Sequence, residues 1–213
     1  CKLTLDEDKD GIADTGDMIT CSTESFHVIS NDETTISMLA QYNLNVGDNK
    51  YPNENTYRLQ DENAYGSTVF SRTDYWYDYN TDEYIVDTNY GKYPFVYGDY
   101  KDENGNQQNK IYPYVEAYEA YLIEEGVKSA EGTLISYEQL MYLVTEDEDG
   151  NYSSEHEWAF TTTYWGGSVY DDSVVLTLGD SADYHVFDDY FYYIYGVRPV
   201  ININVNELWL LKI

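Results

Sequence analysis

The chain of 213 residues is poor in basic residues and has no long apolar run. It contains 11 Lys and Arg against 40 Asp and Glu, which gives a formal net charge of -29. A protein that binds nucleic acid by neutralising phosphates needs a basic surface, so this function class is excluded. The same charge argues against docking on anionic membranes. Since no run approaches 18 consecutive apolar residues, the sequence predicts no membrane span.

Cysteine occurs only at Cys1 and Cys21. This scarcity excludes a disulfide framework and a zinc site built from several thiolates. A bond between the two residues would close a loop worth about 3 kcal/mol of stability, and we favour this pairing for a soluble chain. Alternatively, Cys1 is the lipid-anchored first residue of a mature lipoprotein, and Cys21 is then a free thiol. The acidic composition, rich in Tyr, Asn, Ser and Thr, favours an extracellular or cell-surface location.

The order of secondary-structure signals predicts an α+β fold with antiparallel strands and two helices. Pro113 and Gly126 mark the ends of a first helix, and Ser136 to Gln139 fits the capping box of a second. Strand patterns precede and follow the helices, which indicates segregated helices and not alternating βαβ units. The predicted strands are 18–21, 26–29, 35–39, 158–164, 173–178, 197–205 and 208–213. We expect long ordered loops with short strands over 45–110.

The first 17 residues contain a run of alternating acids that predicts a calcium site. Carboxylates occupy positions one, three, five and nine of the loop, Gly11 occupies position six, and Asp17 occupies position twelve. Alternate side chains of this spacing converge on one ion, and glycine permits the sharp turn between them. The predicted ligands are Asp6, Asp8, Asp10, Ile12, Asp14 and Asp17. The alternative is a solvated acidic arm without a metal.

This loop departs from an EF-hand, because position twelve is Asp and no amphipathic helices flank it. It is more similar to the Asp-x-Asp-x-Asp-Gly-Ile-x-Asp calcium loops of thrombospondin type 3 and dockerin-like repeats. Its role would be structural, since no reactive group accompanies it. We therefore divide the chain into an N-terminal arm, 1–17, and a ligand-binding domain, 18–213.

Two motifs in the last third carry a resemblance to a known fold. Trp165-Gly166-Gly167-Ser168 and Gly196-Val197-Arg198-Pro199-Val200 bracket a Tyr-rich stretch. They resemble the ending of bacterial and phage proteins with a C-type-lectin-like fold, a group that includes formylglycine-generating-enzyme-like domains and the variable proteins of diversity-generating retroelements. The resemblance implies that the two motifs bracket a binding face.

Residues 166–206 contain no Met, Lys, Gln, Glu or Trp. These five amino acids cannot be encoded by codons that end in a pyrimidine, so the gap resembles the output of adenine-directed diversification. The alternative is an ordinary Tyr-rich region in a chain with 26 Tyr. Tyr offers large, rigid contact area, and Asp and Ser add adaptable hydrogen bonds, which is the chemistry of paratopes.

We therefore expect an exposed recognition face over 170–195, supported by a buried scaffold. The scaffold residues would be Trp158, Trp165, Val197 and Val200, and Arg198 would pair with a carboxylate. The predicted ligand-binding residues are Tyr170, Asp171, Asp172, Asp183, Tyr184, His185, Phe187, Asp189, Tyr190, Tyr192 and Tyr193.

The enzyme motifs that the sequence could carry are missing. The C-terminal part has no cysteine pair for formylglycine generation, and His27, His156 and His185 lack metal-ligand spacing. The Glu-Pro-Asn and Trp-Asn-Asp motifs of calcium-dependent animal lectins do not occur. We therefore expect no enzymatic activity, but an adhesin or receptor-like protein that binds a protein or glycan ligand on another cell or particle. The alternatives are a structural subunit of a surface appendage or envelope and, more remotely, a carbohydrate-active enzyme.

Overall fold

The computed structural model describes residues 1–46, 59–62, 64, 68–70, 75–78, 83–86, 111–149, 152–169, 174–181, 184–190 and 194–208. The described part is α+β, with helices α1 (Tyr112–Glu124) and α2 (Tyr137–Leu140). Two 3-10 turns lie at Glu157–Phe160 and Val205–Glu207. The strands are β1 (Lys2–Leu5), β2 (Met18–Cys21), β3 (Glu24–Asn31), β4 (Thr35–Ala40), β5 (Thr68–Phe70), β6 (Tyr75–Asp78), β7 (Glu83–Val86), β8 (Glu131–Thr133), β9 (Thr145–Glu146), β10 (Tyr152–Ser153), β11 (Tyr164–Val169), β12 (Val174–Ser181), β13 (Tyr184–Tyr190), β14 (Ile194–Gly196) and β15 (Val200–Asn204).

The first four strands belong to a six-stranded sheet in the order β1-β2-β3-β4-β15-β8. Its strands all pair antiparallel, and β15 returns from the C-terminal region to lie between β4 and β8. Adjacent residues within a strand belong to different cores: Val28, Met38 and Ile201 pack in one cluster, whereas their strand neighbours pack in another. Since successive side chains point to opposite faces, this sheet is buried on both sides.

A five-stranded sheet in the order β13-β12-β11-β14-β5 forms the second layer of strands. Its pairings are antiparallel except for β11 and β14, which run parallel. Within the described strands, β13 lies at one end of this sheet. The fully buried Trp165 of β11 packs edge-on against Tyr195, with the ring centres 4.8 Å apart, and so joins this sheet to the first core cluster.

Helix α1 covers one face of the six-stranded sheet with the apolar stripe that the sequence predicts. Tyr114, Val115, Tyr118 and Leu122 are buried in the first core cluster, at the spacing expected of one helix face. The helix ends before Gly126, whose φ of +102° is a conformation that glycine adopts at no steric cost. No helix in the described ranges is long and apolar enough to cross a membrane.

Several predicted elements differ from the structure in type or length. The capping box of Ser136 and Gln139 is present, but α2 ends at Leu140 and gives way to turns. The predicted strand 158–164 is wrong over its first part, since Glu157–Phe160 forms a 3-10 turn. This turn buries Ala159 and Phe160 in the second core cluster, which an extended strand with alternating sides would not do. Residues 209–213 of the last predicted strand lie outside the described residues.

Candidate functional site

The acidic loop of residues 6–17 is a closed, self-braced turn. The two carboxylate oxygens of Asp6 accept hydrogen bonds from the backbone N–H groups of Lys9, at 2.6 Å, and Gly11, at 2.8 Å. Asp8 and Asp10 each accept from the N–H group two residues on. Gly11 has a φ of +83°, which favours glycine at this bend. The spacing of acids and glycine therefore produces the compact turn that the sequence predicts.

The buried side chain of Asp17 holds the two ends of this loop together. Its side chain is only 4% exposed, and its two oxygens accept from the N–H groups of Glu7, at 3.0 Å, and Asp14, at 2.9 Å. Its backbone carbonyl accepts from Val28 in β3, which ties the loop to the six-stranded sheet. Asp17 thus links the two ends of the loop through hydrogen bonds to the backbone, a bracing role that the sequence did not reveal.

Three of the six predicted metal ligands form one cluster. Carboxylate oxygens of Asp6, Asp8 and Asp10 lie within 4.8 Å of one another, and among the described residues this group could hold a metal ion. Asp14 and Asp17 are not part of it, and Asp17 has both oxygens engaged by backbone N–H groups. Ile12 would ligate through its backbone carbonyl, which this side-chain cluster does not test. The donor set of hard carboxylate oxygens fits a hard divalent cation. Ligation by the other three residues stays a prediction.

The carboxylates in the loop influence each other's protonation. Desolvation and then repulsion from Asp10, Asp17 and Asp6 raise the pKa of Asp14. Desolvation opposes the backbone N–H bonds at Asp6, but the bonds from Gly11 and Lys9 prevail and lower its pKa. The pKa of Asp8 is raised: the bond from the Asp10 N–H lowers it, but desolvation and the neighbouring Asp10 and Asp6 charges outweigh that bond. Such crowded negative charge favours a bound cation.

A disulfide bond joins Cys1 to Cys21 and encloses the whole acidic loop. The bond connects the start of the chain to the end of β2, next to which β1 lies antiparallel. Cys21 is fully buried in the first core cluster. The structure thus has the disulfide that we favoured from the sequence, and it roots the loop at both ends in the six-stranded sheet.

The predicted recognition residues that the structure describes lie on β13. Tyr184, His185, Phe187, Asp189 and Tyr190 follow one another along this strand, which pairs with β12 over its whole length. The register pairs Tyr184 with Ser181, Phe187 with Thr177, Asp189 with Val175 and Tyr190 with Val174 of β12.

The other predicted recognition residues lie outside the described part of the chain. They are Tyr170, Asp171, Asp172, Asp183, Tyr192 and Tyr193. Of the four predicted scaffold residues, Trp165, Val197 and Val200 are fully buried. Trp158 is only half-buried and lies in the 3-10 turn Glu157–Phe160.

Arg198 is buried, but the prediction of a carboxylate partner is wrong for the residues that the structure describes. Its guanidinium donates to four backbone carbonyl oxygens, two of which follow β4 or end it and two of which belong to the 3-10 turn. The acceptors are those of Ala40, Gln41, Trp158 and Ala159. The ring of Tyr164 lies 5.2 Å from the guanidinium carbon. Five donors in a planar fork suit this arrangement, and Arg198 thereby ties the end of β4 to the 3-10 turn.

A ring cluster lies beside the end of the acidic loop and was not predicted. His27 stacks on Trp158 with ring centres 4.4 Å apart, and His156 approaches the same indole at 5.6 Å. Burial lowers the pKa of His27 to about 4, against a bond to the Gly16 carbonyl that raises it. The isolated histidines gave no sequence signal, because residues 130 positions apart come together only in the fold.

No protein-family model, curated protein or solved structure matches this chain. The C-type-lectin-like fold and the relation to retroelement-diversified proteins therefore stay predictions from the sequence motifs.

Proposed function

We propose that the protein recognises a ligand outside the cell, as an adhesin or receptor-like protein, through the Tyr- and Asp-rich β12–β13 hairpin. The observation that carries the proposal is the position of β13 at the end of the five-stranded sheet in the described chain. A strand of sequence Tyr-His-Val-Phe-Asp-Asp-Tyr at such an edge presents aromatic and acidic groups together. Tyr and Asp in this combination form contact surfaces with large area and adaptable hydrogen bonds.

The scaffold beneath the hairpin supports this function. Trp165 is fully buried next to β12, and Arg198 ties the neighbouring turn to the other sheet through four hydrogen bonds. A rigid base lowers the entropy that a recognition surface loses on binding. The disulfide agrees with an oxidising, extracellular setting, since such bonds persist there.

The test compares tyrosines on β13 with an exposed tyrosine elsewhere. Fluorescent tetramers of the wild type, of Tyr184→Ser/Tyr190→Ser and of Tyr137→Ser are applied to an array of glycans and to a panel of intact cells. Tyr137 is 44% exposed and is the first residue of α2, so it is a matched control. We expect the double variant to lose the signals of the wild type and the control to keep them. Equal binding by all three proteins would contradict the role of the hairpin.

We also propose that the acidic loop binds one calcium ion, which stiffens the N-terminal end of the six-stranded sheet. The clustered carboxylates of Asp6, Asp8 and Asp10 support this proposal, and Asp17 and the disulfide hold the loop ready for the ion. Extracellular calcium modules bind at roughly 0.1–1 mM, so the loop would be filled outside cells. The ion would supply charge neutralisation and rigidity.

Calorimetric titration with calcium and melting in chelator test this second proposal. We expect heat of binding and a rise in melting temperature with calcium for the wild type. Asp8→Asn removes one exposed carboxylate of the cluster and should abolish both, whereas Asp32→Asn, an acid in the turn between β3 and β4, should change neither. Absence of any heat, with melting unchanged by chelator, would show an arm without a metal.

A further inference from the structure

A cavity lies between the turn after α2 and the β9–β10 hairpin. It has a volume of about 460 Å³, within the range of ordinary ligand sites. Its lining comes from two segments, 142–145 and 153–156, which the short β9–β10 pairing brings side by side. The buried Leu143 belongs to the second core cluster and gives the cavity a fixed base.

Hydrogen bonds hold the two segments in place. The hydroxyl of Ser154 donates to the carbonyl of Leu143, and the backbone N–H of His156 donates to that same hydroxyl at 2.9 Å. The imidazole of His156 lies against Trp158. The walls of the cavity are thus built by the fold and do not depend on a ligand to form.

The residues that line this space include a phenol ring, Tyr142, a carboxylate, Glu155, and the imidazole of His156. Tyr142 is 71% exposed, the most exposed large apolar residue that the structure describes, although it lines a cavity. Glu155 and Thr145 are exposed as well, and their side chains have no hydrogen bond to any described residue. An aromatic face beside a carboxylate attracts an organic cation through its π-system and through direct charge pairing.

The charge around the cavity points in the same direction. No Lys or Arg occurs between Lys128 and Arg198, and Arg198 is occupied by carbonyl oxygens. Glu146, Glu155 and Glu157 lie in or near the lining segments. This surplus of acids disfavours an anionic ligand. A single lining carboxylate is too few for a divalent metal, which takes several oxygen ligands.

We propose that this cavity binds a guanidinium or ammonium group, presented by a basic side chain of a peptide or by a free amine. The cation lies over the ring of Tyr142 and pairs with Glu155, while Thr145 supplies a hydroxyl. This site goes beyond the recognition surface on the β12–β13 hairpin, although β10 contacts β13. It would add selectivity for basic partners next to that surface.

The test uses a pair of probes of the same shape. Nα-acetyl-arginine methylamide carries the charge, and the corresponding citrulline amide does not. Titration by calorimetry and by amide chemical shifts should show binding of the arginine probe and at least roughly fivefold weaker binding of the citrulline probe. A comparison of the arginine amide with agmatine then separates a peptide-borne side chain from a free amine. The proposal would be overturned if the citrulline probe bound as tightly as the arginine probe. It would also be overturned if the neutral sugar methyl glucoside did so.

Matched variants locate the site. Glu155→Gln should weaken binding roughly threefold to fivefold, whereas Glu157→Gln, with the same change of charge at an exposed residue outside the lining, should not. Tyr142→Ser should weaken it roughly twofold to fivefold, and Tyr142→Phe should retain it. If Glu155→Gln and Glu157→Gln weaken binding equally, the probe senses only the overall charge and the site is wrong. Tyr190→Ser should leave probe binding unchanged, so failure here and failure of the hairpin function are separate results.

Discussion

The acidic loop and the β12–β13 hairpin are both rich in acids, but they are organised in different ways. In the loop, each of Asp6, Asp8, Asp10 and Asp17 accepts a hydrogen bond from a nearby backbone N–H group. In the hairpin, the order comes from strand pairing with β11 and from the core beneath it. The loop is therefore ordered by hydrogen bonds to its own side chains, whereas the hairpin is ordered by strand pairing and by the core beneath it.

The largest expected effect comes from the scaffold of the hairpin. Trp165→Ala removes a fully buried side chain from β11, and the cavity left behind should cost about 3–5 kcal/mol of unfolding free energy. Trp158→Ala, at a half-buried position, should cost less. Denaturant unfolding of both variants gives the comparison. A loss for Trp165→Ala no larger than that for Trp158→Ala would contradict the role of Trp165 in the scaffold.

The second-largest expected loss of stability comes from removing the disulfide that closes the acidic loop. Replacing Cys1 and Cys21 together by Ala should lower the unfolding free energy by about 3 kcal/mol, because the unfolded chain regains the freedom of the enclosed loop. Unfolding is measured with and without reductant. The wild type in reductant should match the variant, and the variant should not respond to reductant. A wild type that is equally stable in both conditions would rule out this contribution.

A smaller effect on stability distinguishes Asp17, which braces the acidic loop, from Asp10, which belongs to the carboxylate cluster. Asp17→Ala leaves the N–H groups of Glu7 and Asp14 without their acceptor and should cost about 1–3 kcal/mol. Asp10→Ala, at an exposed position, should cost less than about 0.5 kcal/mol when measured in chelator. Denaturant unfolding checks both values. A larger loss for Asp10→Ala than for Asp17→Ala would reverse the roles assigned to them.

The stability of the folded protein should depend on pH through His27, which lies in the ring cluster beside the acidic loop. The pKa of His27 falls from 6.5 to about 4 in the folded protein, chiefly because burial disfavours the charged ring. Between these pH values the unfolded chain binds a proton that the folded chain does not, so stability decreases as the pH falls through this window. His27→Phe keeps a ring on Trp158 and should reduce this decrease, relative to pH 8. If the melting temperatures of the wild type and His27→Phe fall by the same amount from pH 8 to pH 4, His27 does not cause the decrease.

Local patterns in the sequence predicted local structure, but they did not predict contacts between residues far apart in the chain. The acid and glycine spacing, Pro113, Gly126 and the capping box of Ser136 each act within a few residues, so the turn and the ends of the helices could be predicted. Arg198 could not, because its four acceptors come from segments about 40 and 158 residues away. A lone arginine in an acidic chain suggests a carboxylate partner, yet the fold offers it carbonyl groups.

The composition of the hairpin predicted what it contains but not how it is arranged. Its Tyr and Asp content indicated a contact surface, and only the structure gives the register in which β13 pairs with β12. The cavity beside Tyr142 was also beyond the sequence, since its two short segments carry no motif and become neighbours through two pairs of residues in β9 and β10.

The unfolding free energy of Tyr184→Ser/Tyr190→Ser tests the central claim most directly, because recognition residues must be dispensable for folding. If these tyrosines form a display surface, the double variant should stay within about 1 kcal/mol of the wild type, as surface changes usually do. A loss of about 3 kcal/mol or more would place the tyrosines in the core and would contradict recognition through this hairpin.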